Sequence, residues 1–143
     1  MKEIRSDIEI RASVETVWQI LTDFTKYPEW NPLIPRAIGK AEVSARVDIT
    51  VPSGSKEKVL RCTVIKVEPN RELCWQYHVL LPGLFRAKHS FTLEPMGIDR
   101  VRFVNREVFG GLYLPFQAKE LDTQTRRVFQ EMDKALKVRA EQL

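Results

Sequence analysis

The chain has 143 residues, of which 43% are hydrophobic and 29% charged, and its net charge at pH 7 is +4. These values indicate one globular domain over residues 1–143 and exclude global disorder, because the apolar content is sufficient for a core. A charge of this size, spread along the sequence, does not indicate a nucleic-acid partner. No apolar run approaches membrane-spanning length, so we expect no stable insertion into a membrane.

The first part of the chain predicts a strand followed by a short helix. An alternation ending in Ile8 and Ile10 indicates the strand. Ser13 is a suitable N-cap, and apolar residues then recur at helical spacing as far as Phe24. The segment 26–32 is aromatic and contains two prolines, which prevent a regular helix. We therefore predict a loop here, with at most a short helical turn.

The middle of the chain predicts an antiparallel meander. Short alternating segments recur after Pro35, and residues typical of turns separate them at 52–54, 68–70, 81–83 and 94–97. Their spacing predicts about six strands after the aromatic loop and about seven in the whole chain.

From about Pro115 onward the apolar period becomes helical and continues for about six turns. The apolar stripe consists of Leu121, Thr125, Val128, Phe129, Met132, Ala135 and Leu136. The charges alternate in sign, and we assign them to a solvated face: Glu120, Asp122, Arg126, Arg127, Glu131, Asp133, Lys134, Lys137, Arg139 and Glu141. A curved sheet leaves one concave face that a long helix must cover. The predicted fold class is therefore α+β, a curved antiparallel sheet wrapped around a long C-terminal helix, with one or two short helices after the first strand.

Strand alternation assigns side chains to the concave face. The odd-numbered residues point inward in the segments 73–79, 85–93 and 101–109, because these positions are the more apolar. Hairpins centred on the predicted turns then produce two rows of inward side chains. The polar row contains Cys62, Tyr77, His89 and Asn105. The aromatic row contains Trp75, Phe91 and Phe103. A shift of two residues would preserve these faces, so the register remains open.

Buried polar groups are costly unless they are hydrogen-bonded, so the inward polar side chains bond one another or face a wet cavity or a ligand. His89 is either a general acid or base, or a neutral core histidine bonded to Asn105 or Tyr77. Glu107 either binds a ligand hydroxyl or accepts a proton. Alternatively, Glu107 has a structural role near the mouth of a cavity, where it bonds to the backbone at 110–111 or to an arginine.

Several segments resemble the SRPBCC superfamily, which includes START-like lipid-binding domains, pollen-allergen-like proteins and bacterial polyketide cyclase/dehydrase-like proteins. They are VETVW (14–18), LTDF (21–24), YPEWNP (27–32), VEPNRELCW (67–75), HSFTLEP (89–95) and REVFGG (106–111). The resemblance covers nearly the whole chain and is closest to the short bacterial polyketide cyclase-like proteins. It implies a helix-grip fold with a ligand cavity between the sheet and the C-terminal helix. Members carry lipids, sterols, plant hormones or polyketides, and some are enzymes, but no motif transfers a catalytic residue to this chain.

The leading hypothesis is a cytoplasmic protein, monomer or homodimer, that binds, and could also transport, an apolar small molecule such as a lipid or polyketide-like compound. The predicted ligand contacts are Trp30, Pro32, Cys62, Trp75, Tyr77, Phe85, His89, Phe91, Phe103, Asn105, Glu107, Phe109, Tyr113, Phe129 and Met132. One alternative is a polyketide cyclase or dehydratase that uses His89 or Glu107 for proton transfer. Another is a partner-binding adaptor with a vestigial cavity. We expect no cofactor and no metal, because the histidines and cysteines lack ligand spacing, and the two cysteines do not form a disulfide framework.

Overall fold

The computed structural model describes residues 2–78, 86–110 and 118–142. Its seven-stranded antiparallel sheet consists of β1 (Lys2–Ile10), β2 (Arg36–Ile38), β3 (Arg46–Ser53), β4 (Lys56–Glu68), β5 (Glu72–His78), β6 (Arg86–Gly97) and β7 (Arg100–Gly110). The helices are α1 (Val14–Thr22), a 3-10 helix (Phe24–Glu29) and α2 (Ala118–Glu141). The predicted fold class is confirmed, including the short helices after the first strand.

The sheet has the order β1-β7-β6-β5-β4-β3-β2, so the first strand pairs with the last. Helix α2 lies against β1 along most of the length of that strand. The Arg126 guanidinium donates to the Arg5 carbonyl at 3.2 Å, and the Lys137 ammonium donates to the Glu9 carbonyl at 3.2 Å. These contacts show that α2 runs in the same direction as β1.

The aromatic segment after α1 closes one part of the core. Ser13 caps α1, since its hydroxyl accepts a hydrogen bond from the Thr16 backbone at 3.2 Å. Tyr27 is fully buried in the 3-10 helix and donates its hydroxyl proton to the Leu21 carbonyl. Phe24 is also buried and meets the Trp75 ring edge to face, with centroids 5.9 Å apart. The short helical turn predicted in this segment is therefore present, and it packs against the sheet.

The register predicted for one hairpin is confirmed. In the pairing of β4 with β5, Cys62 lies opposite Tyr77 and Val64 lies opposite Trp75. The pairing shifts by one residue between Val64 and Lys66, where the strand has a bulge.

The other two predicted registers are wrong by two residues. His89 lies opposite Trp75 on β5 and opposite Glu107 on β7, whereas the prediction placed it opposite Tyr77 and Asn105. The inward side chains of the described strand residues nevertheless stay on their predicted faces, because a shift of two preserves the alternation.

The cause of the shift is visible in the β6–β7 hairpin. The ladder is irregular between Pro95 and Gly97, and it closes with Gly97 opposite Arg100. The turn is therefore centred on residues 98 and 99, two positions later than the centre at Met96 and Gly97 that the sequence predicts. As a result, Phe91 lies opposite Asn105 and not opposite Phe103. The separate shift between β5 and β6 places Leu73 opposite Phe91, so Trp75 and Phe91 lie in successive rows of the sheet.

The inward face of α2 contains one residue that the sequence placed wrongly. Phe129, Met132 and Leu136 are buried as predicted, but Asp133 is also buried, with 2% of its surface exposed. Its assignment to the solvated face is incorrect. No helix in the described ranges is long and apolar enough to cross a membrane.

Candidate functional site

A chain of buried polar side chains crosses the interior from the sheet to α2. His89 Nδ1 lies 2.9 Å from Glu107 Oε2, and His89 Nε2 lies 2.6 Å from Asn105 Oδ1. The Asn105 amide nitrogen then donates to Asp133 Oδ1 on α2 at 3.1 Å. At the other end, Tyr77 lies beside Glu107, and burial together with the Glu107 charge raises the pKa of the Tyr77 hydroxyl. We refer to these five residues as the polar chain.

The pairing of the central strands brings the polar chain together. His89 on β6 lies directly opposite Glu107 on β7, and cross-strand neighbours of this kind are close enough for their side chains to meet. Asn105 is two residues before Glu107, so it shares the concave face. Asp133 reaches Asn105 from the helix that covers this face.

Aromatic rings enclose the imidazole of His89. Phe91 stacks on it with centroids 4.2 Å apart and an interplanar angle of 24°. On α2, Phe129 stacks at 5.0 Å and 23°. Such ring faces attract a protonated imidazole, and the apolar surroundings strengthen the hydrogen bonds of the ring.

The hydrogen-bond partners determine which atom donates and which accepts at each contact of the polar chain. The amide nitrogen of Asn105 faces the Asp133 carboxyl, so the amide oxygen of Asn105 faces His89. Because this oxygen can only accept a hydrogen bond, His89 Nε2 must carry a proton. Nδ1 of the same ring faces a carboxylate oxygen of Glu107. One proton therefore lies between these two atoms, either on the imidazole or on the carboxyl.

Burial keeps the groups beside Glu107 protonated. The pKa of Tyr77 is raised well above its ordinary value by burial, by the Glu107 charge and by the nearby Cys62. Burial, the Glu107 charge and the charge of Asp48 raise the pKa of Cys62 to about 12. Both side chains are consequently neutral near pH 7.

The carboxyl of Asp133 has an unusual environment for an aspartate. Burial raises its pKa to about 6, although Ser6, Asn105 and His89 act in the opposite direction and Asp7 adds a smaller increase. Asp133 Oδ2 makes no hydrogen bond of normal geometry within the described part of the chain. A proton on this oxygen leaves Oδ1 free to accept from Asn105.

The exposed fraction of each residue distinguishes the packed core from the surface that a ligand can reach. Trp75, Phe91, Phe103 and Met132 are 0% exposed, and Phe129 is 1% exposed. A space wide enough for water would leave exposed surface on its walls, so these residues adjoin no such space. In contrast, Tyr77 is 8% and Glu107 7% exposed, and Phe109 is half-buried. The accessible groups thus cluster where β5 and β7 end, away from the aromatic centre.

The comparisons with known proteins agree with this architecture. The sequence matches the family model described as polyketide cyclase/dehydrase and lipid transport over residues 1–141. The chain belongs to this family. Membership confirms the predicted resemblance to the SRPBCC superfamily. No curated protein matches the sequence.

Several solved structures of other proteins have the same fold as this chain. A START superfamily protein from Mycobacterium smegmatis is 22% identical, with a TM-score of 0.80 over 98% of this chain and 97% of that chain. The Zhui aromatase/cyclase from a Streptomyces species is 15% identical, with a TM-score of 0.80 over 99% and 94%. A norcoclaurine synthase from Thalictrum flavum is 14% identical, with a TM-score of 0.75 over 99% and 94%. The TM-scores show a shared fold, while function depends on the site residues.

Of the remaining predicted contacts of this family member, Cys62 lies beside the polar chain, and the others lie apart from it or outside the described residues. Trp30 and Pro32 are half-buried after the 3-10 helix, where Trp30 meets the Tyr27 ring at 5.3 Å. Cys62 is 1% exposed and its thiol points to the Leu60 carbonyl. Phe85 and Tyr113 lie outside the described residues.

The sequence reasoning missed Asp133 as a member of the site. A signal was present, because Asp133 follows Phe129 by four residues and precedes Leu136 by three, both positions of the apolar stripe. Within the described ranges, no three acidic, histidine or cysteine side chains converge as metal ligands. An open depression of about 360 Å³ lies on the solvent-facing side of α2, beside Arg126 and Arg127, and is separate from the polar chain.

Proposed function

We propose that this protein binds an apolar small molecule, such as a lipid or polyketide-like compound, at the edge of the interior between the sheet and α2, where β5 and β7 end. The observation that carries the proposal is the pair Tyr77 and Glu107. These polar side chains retain exposed surface at the edge of an otherwise apolar interior, with His89 directly behind them. Small-molecule sites have this composition, with mostly apolar walls and a few convergent polar groups. The description of the family, which includes lipid transport, supports the same function.

The proposal assigns different roles to the two parts of the interior. The packed rings around Trp75 and Phe91 form a rigid base, since they are fully buried. Tyr77, Glu107 and Phe109 present the surface that meets the ligand. A rigid base keeps the polar groups in position before the ligand arrives, which reduces the ordering cost of binding.

Extraction of the purified protein followed by mass spectrometry tests the proposal. The recovered compound is then titrated against wild type, Glu107→Gln and Glu94→Gln. We expect the Glu107 variant to lose affinity by about tenfold or more, because a charged acceptor at the ligand is replaced. Glu94 is exposed on β6, so its variant serves as the matched control and should bind as wild type does. Equal affinity of all three proteins would contradict the assignment of the site, and the absence of any bound compound would contradict binding.

A second function, proton transfer in a cyclase or dehydratase, is favoured by the 2.9 Å contact of His89 with Glu107. Such a pair can take a proton from the carbon beside a carbonyl group and return it to a departing hydroxyl group. His89→Ala and Glu107→Gln should then abolish turnover of an enolisable carbonyl compound while affinity stays nearly unchanged. His78→Ala is the matched control, because His78 is exposed. If the two site variants only weaken binding, the enzyme hypothesis is wrong.

A further inference from the structure

We infer that the site selects apolar ligands that donate a hydrogen bond, such as phenols, alcohols or amines, and rejects carboxylates. This inference rests on the proposed binding function and specifies the class of ligand. Its basis is the direction of the hydrogen bonds in the polar chain. The N–H and O–H donors of these side chains bond to other side chains of the polar chain, so the atoms that can meet a ligand are acceptors.

The first step concerns His89 and Asn105. Both ring nitrogens of His89 face oxygen atoms, so neither ring N–H is available to a ligand. The Asn105 amide N–H is directed to Asp133, and Asn105 is 0% exposed. The inner half of the polar chain therefore has no free donor.

The second step concerns the groups that retain exposure. Tyr77 has one hydroxyl proton, and the carboxyl of Glu107, whose charge adds to burial in raising the pKa of Tyr77, is the acceptor beside it. Its neighbour Cys62 directs its weak S–H donor to the Leu60 carbonyl at 3.8 Å. In the described ranges, the buried side-chain donors without a partner belong to Ser6, Trp30, Asn31 and Trp75, and each of these atoms is fully enclosed. None of them is directed at accessible surface.

The third step is that the position of the shared proton does not alter this result. With the proton on His89, Glu107 is a carboxylate, which only accepts hydrogen bonds. With the proton on Glu107, the O–H is directed to His89 Nδ1 and is again used internally. In both cases the accessible atoms are acceptors, namely the carboxyl oxygens of Glu107 and the phenolic oxygen of Tyr77.

A carboxyl group provides about four lone-pair positions, of which His89 occupies one and the neighbouring Tyr77 hydroxyl can take one more. The remaining positions suit the hydroxyl or ammonium of a ligand. With the proton on His89, a ligand carboxylate would place its charge beside the carboxylate of Glu107, and like charges at short range in a poorly hydrated site repel strongly. With the proton on Glu107, the ligand carboxylate would set its acceptor oxygens against the acceptor oxygens of the site. Among the described residues, His89 is the ion-pair partner of Glu107, and it lies behind the carboxyl where it does not face the ligand.

The test uses three naphthalenes that share one apolar body and differ in one group. Wild-type protein is titrated by calorimetry near pH 7 with 2-naphthol, 2-methoxynaphthalene and 2-naphthoate. We expect 2-naphthol to bind at least about tenfold more tightly than 2-methoxynaphthalene, because a hydrogen bond to a charged acceptor is lost in the ether. We expect 2-naphthoate to bind most weakly.

The Glu107→Gln variant is the second arm of the experiment. Its amide N–H supplies a donor and removes the charge, so the preference for 2-naphthol over 2-naphthoate should decrease by about tenfold or more. The Glu94→Gln control should keep the wild-type order.

The outcomes separate the ligand class from binding itself. If 2-naphthoate binds wild type as tightly as 2-naphthol does, the proposed ligand class is wrong while binding stands. If Glu107→Gln leaves the order of affinities unchanged, the polar chain does not set the selectivity and the inference is again wrong. If none of the three compounds binds, the proposed function fails and the inference fails with it.

Discussion

At the scale of single residues, Asp133 shows how a polar group is retained in a core. Its carboxyl is buried on α2 and accepts a hydrogen bond from Asn105, which in turn orients His89. One accepted hydrogen bond does not fully replace the water that a carboxylate loses, so the pKa of Asp133 rises to about 6. Asp133 thus opposes stability at neutral pH while it positions the imidazole.

This cost predicts that the free energy of unfolding differs between wild type and Asp133→Asn by an amount that depends on pH. The unfolded carboxyl ionises near its ordinary pKa of 3.8, whereas the folded carboxyl keeps its proton until about pH 6. The contribution of Asp133 to stability is therefore fully present below pH 3.8 and is lost as the pH rises through 6. Between pH 4 and pH 7, the free energy of unfolding should change in favour of the variant by up to about 3 kcal/mol.

Urea unfolding of both proteins across this pH range provides the measurement. Asparagine keeps an oxygen that can accept from Asn105, so the variant is expected to fold. Glu131→Gln is the matched control, because Glu131 is an exposed carboxyl on the same helix. A difference between wild type and Asp133→Asn that does not vary with pH would show that Asp133 is ionised throughout.

At the scale of secondary-structure elements, the link between β2 and β3 depends on one glycine. Gly39 has φ +146°, and a Cβ added there would lie 2.5 Å from the Arg46 carbonyl oxygen and 3.0 Å from Val47 Cα. These are backbone atoms of the adjacent strand, which have little freedom to move. The chain can therefore leave β2 this close to the backbone of β3 only with glycine at this position.

We predict that Gly39→Ala lowers the free energy of unfolding by about 3 kcal/mol or more, since it combines backbone strain with a steric clash. Gly54→Ala is the matched control. Gly54 also has a positive φ, +64°, but no atom lies within 4 Å of the place that a Cβ would occupy, so its loss should be about 1 kcal/mol. Chemical denaturation of both variants measures the difference. Similar losses at the two positions would show that the β2–β3 link relaxes around the added methyl group.

At the scale of the whole molecule, the fold followed from patterns that are local in the sequence. The alternation around His89 and Phe91 identified the inward face of β6, and the helical period around Phe129 and Met132 identified that of α2. Both patterns are set by the geometry of one strand or one helix, so they can be found without knowledge of the partner.

Features that depend on two elements were less predictable. A turn that lies after Gly97, and not at Met96 and Gly97, places His89 opposite Glu107 where the sequence predicts Asn105. Asp133 was assigned by its charge, and only the amide of Asn105 across the interface explains its burial. Likewise, the sequence showed that Phe91 points inward but not that α2 packs against the sheet too closely to leave space beside it.

The contacts of α2 have a mechanical consequence. The helix is attached to β1 through Arg126 near its middle and Lys137 near its end, and Asp133 attaches it to β7 between them. Lifting this stretch away from the sheet would separate Asn105 from Asp133 and leave both without their partner, at a cost of about 1–3 kcal/mol for each enclosed group. From residue 126 to the end, α2 is therefore a fixed wall of the molecule and not a moving cover.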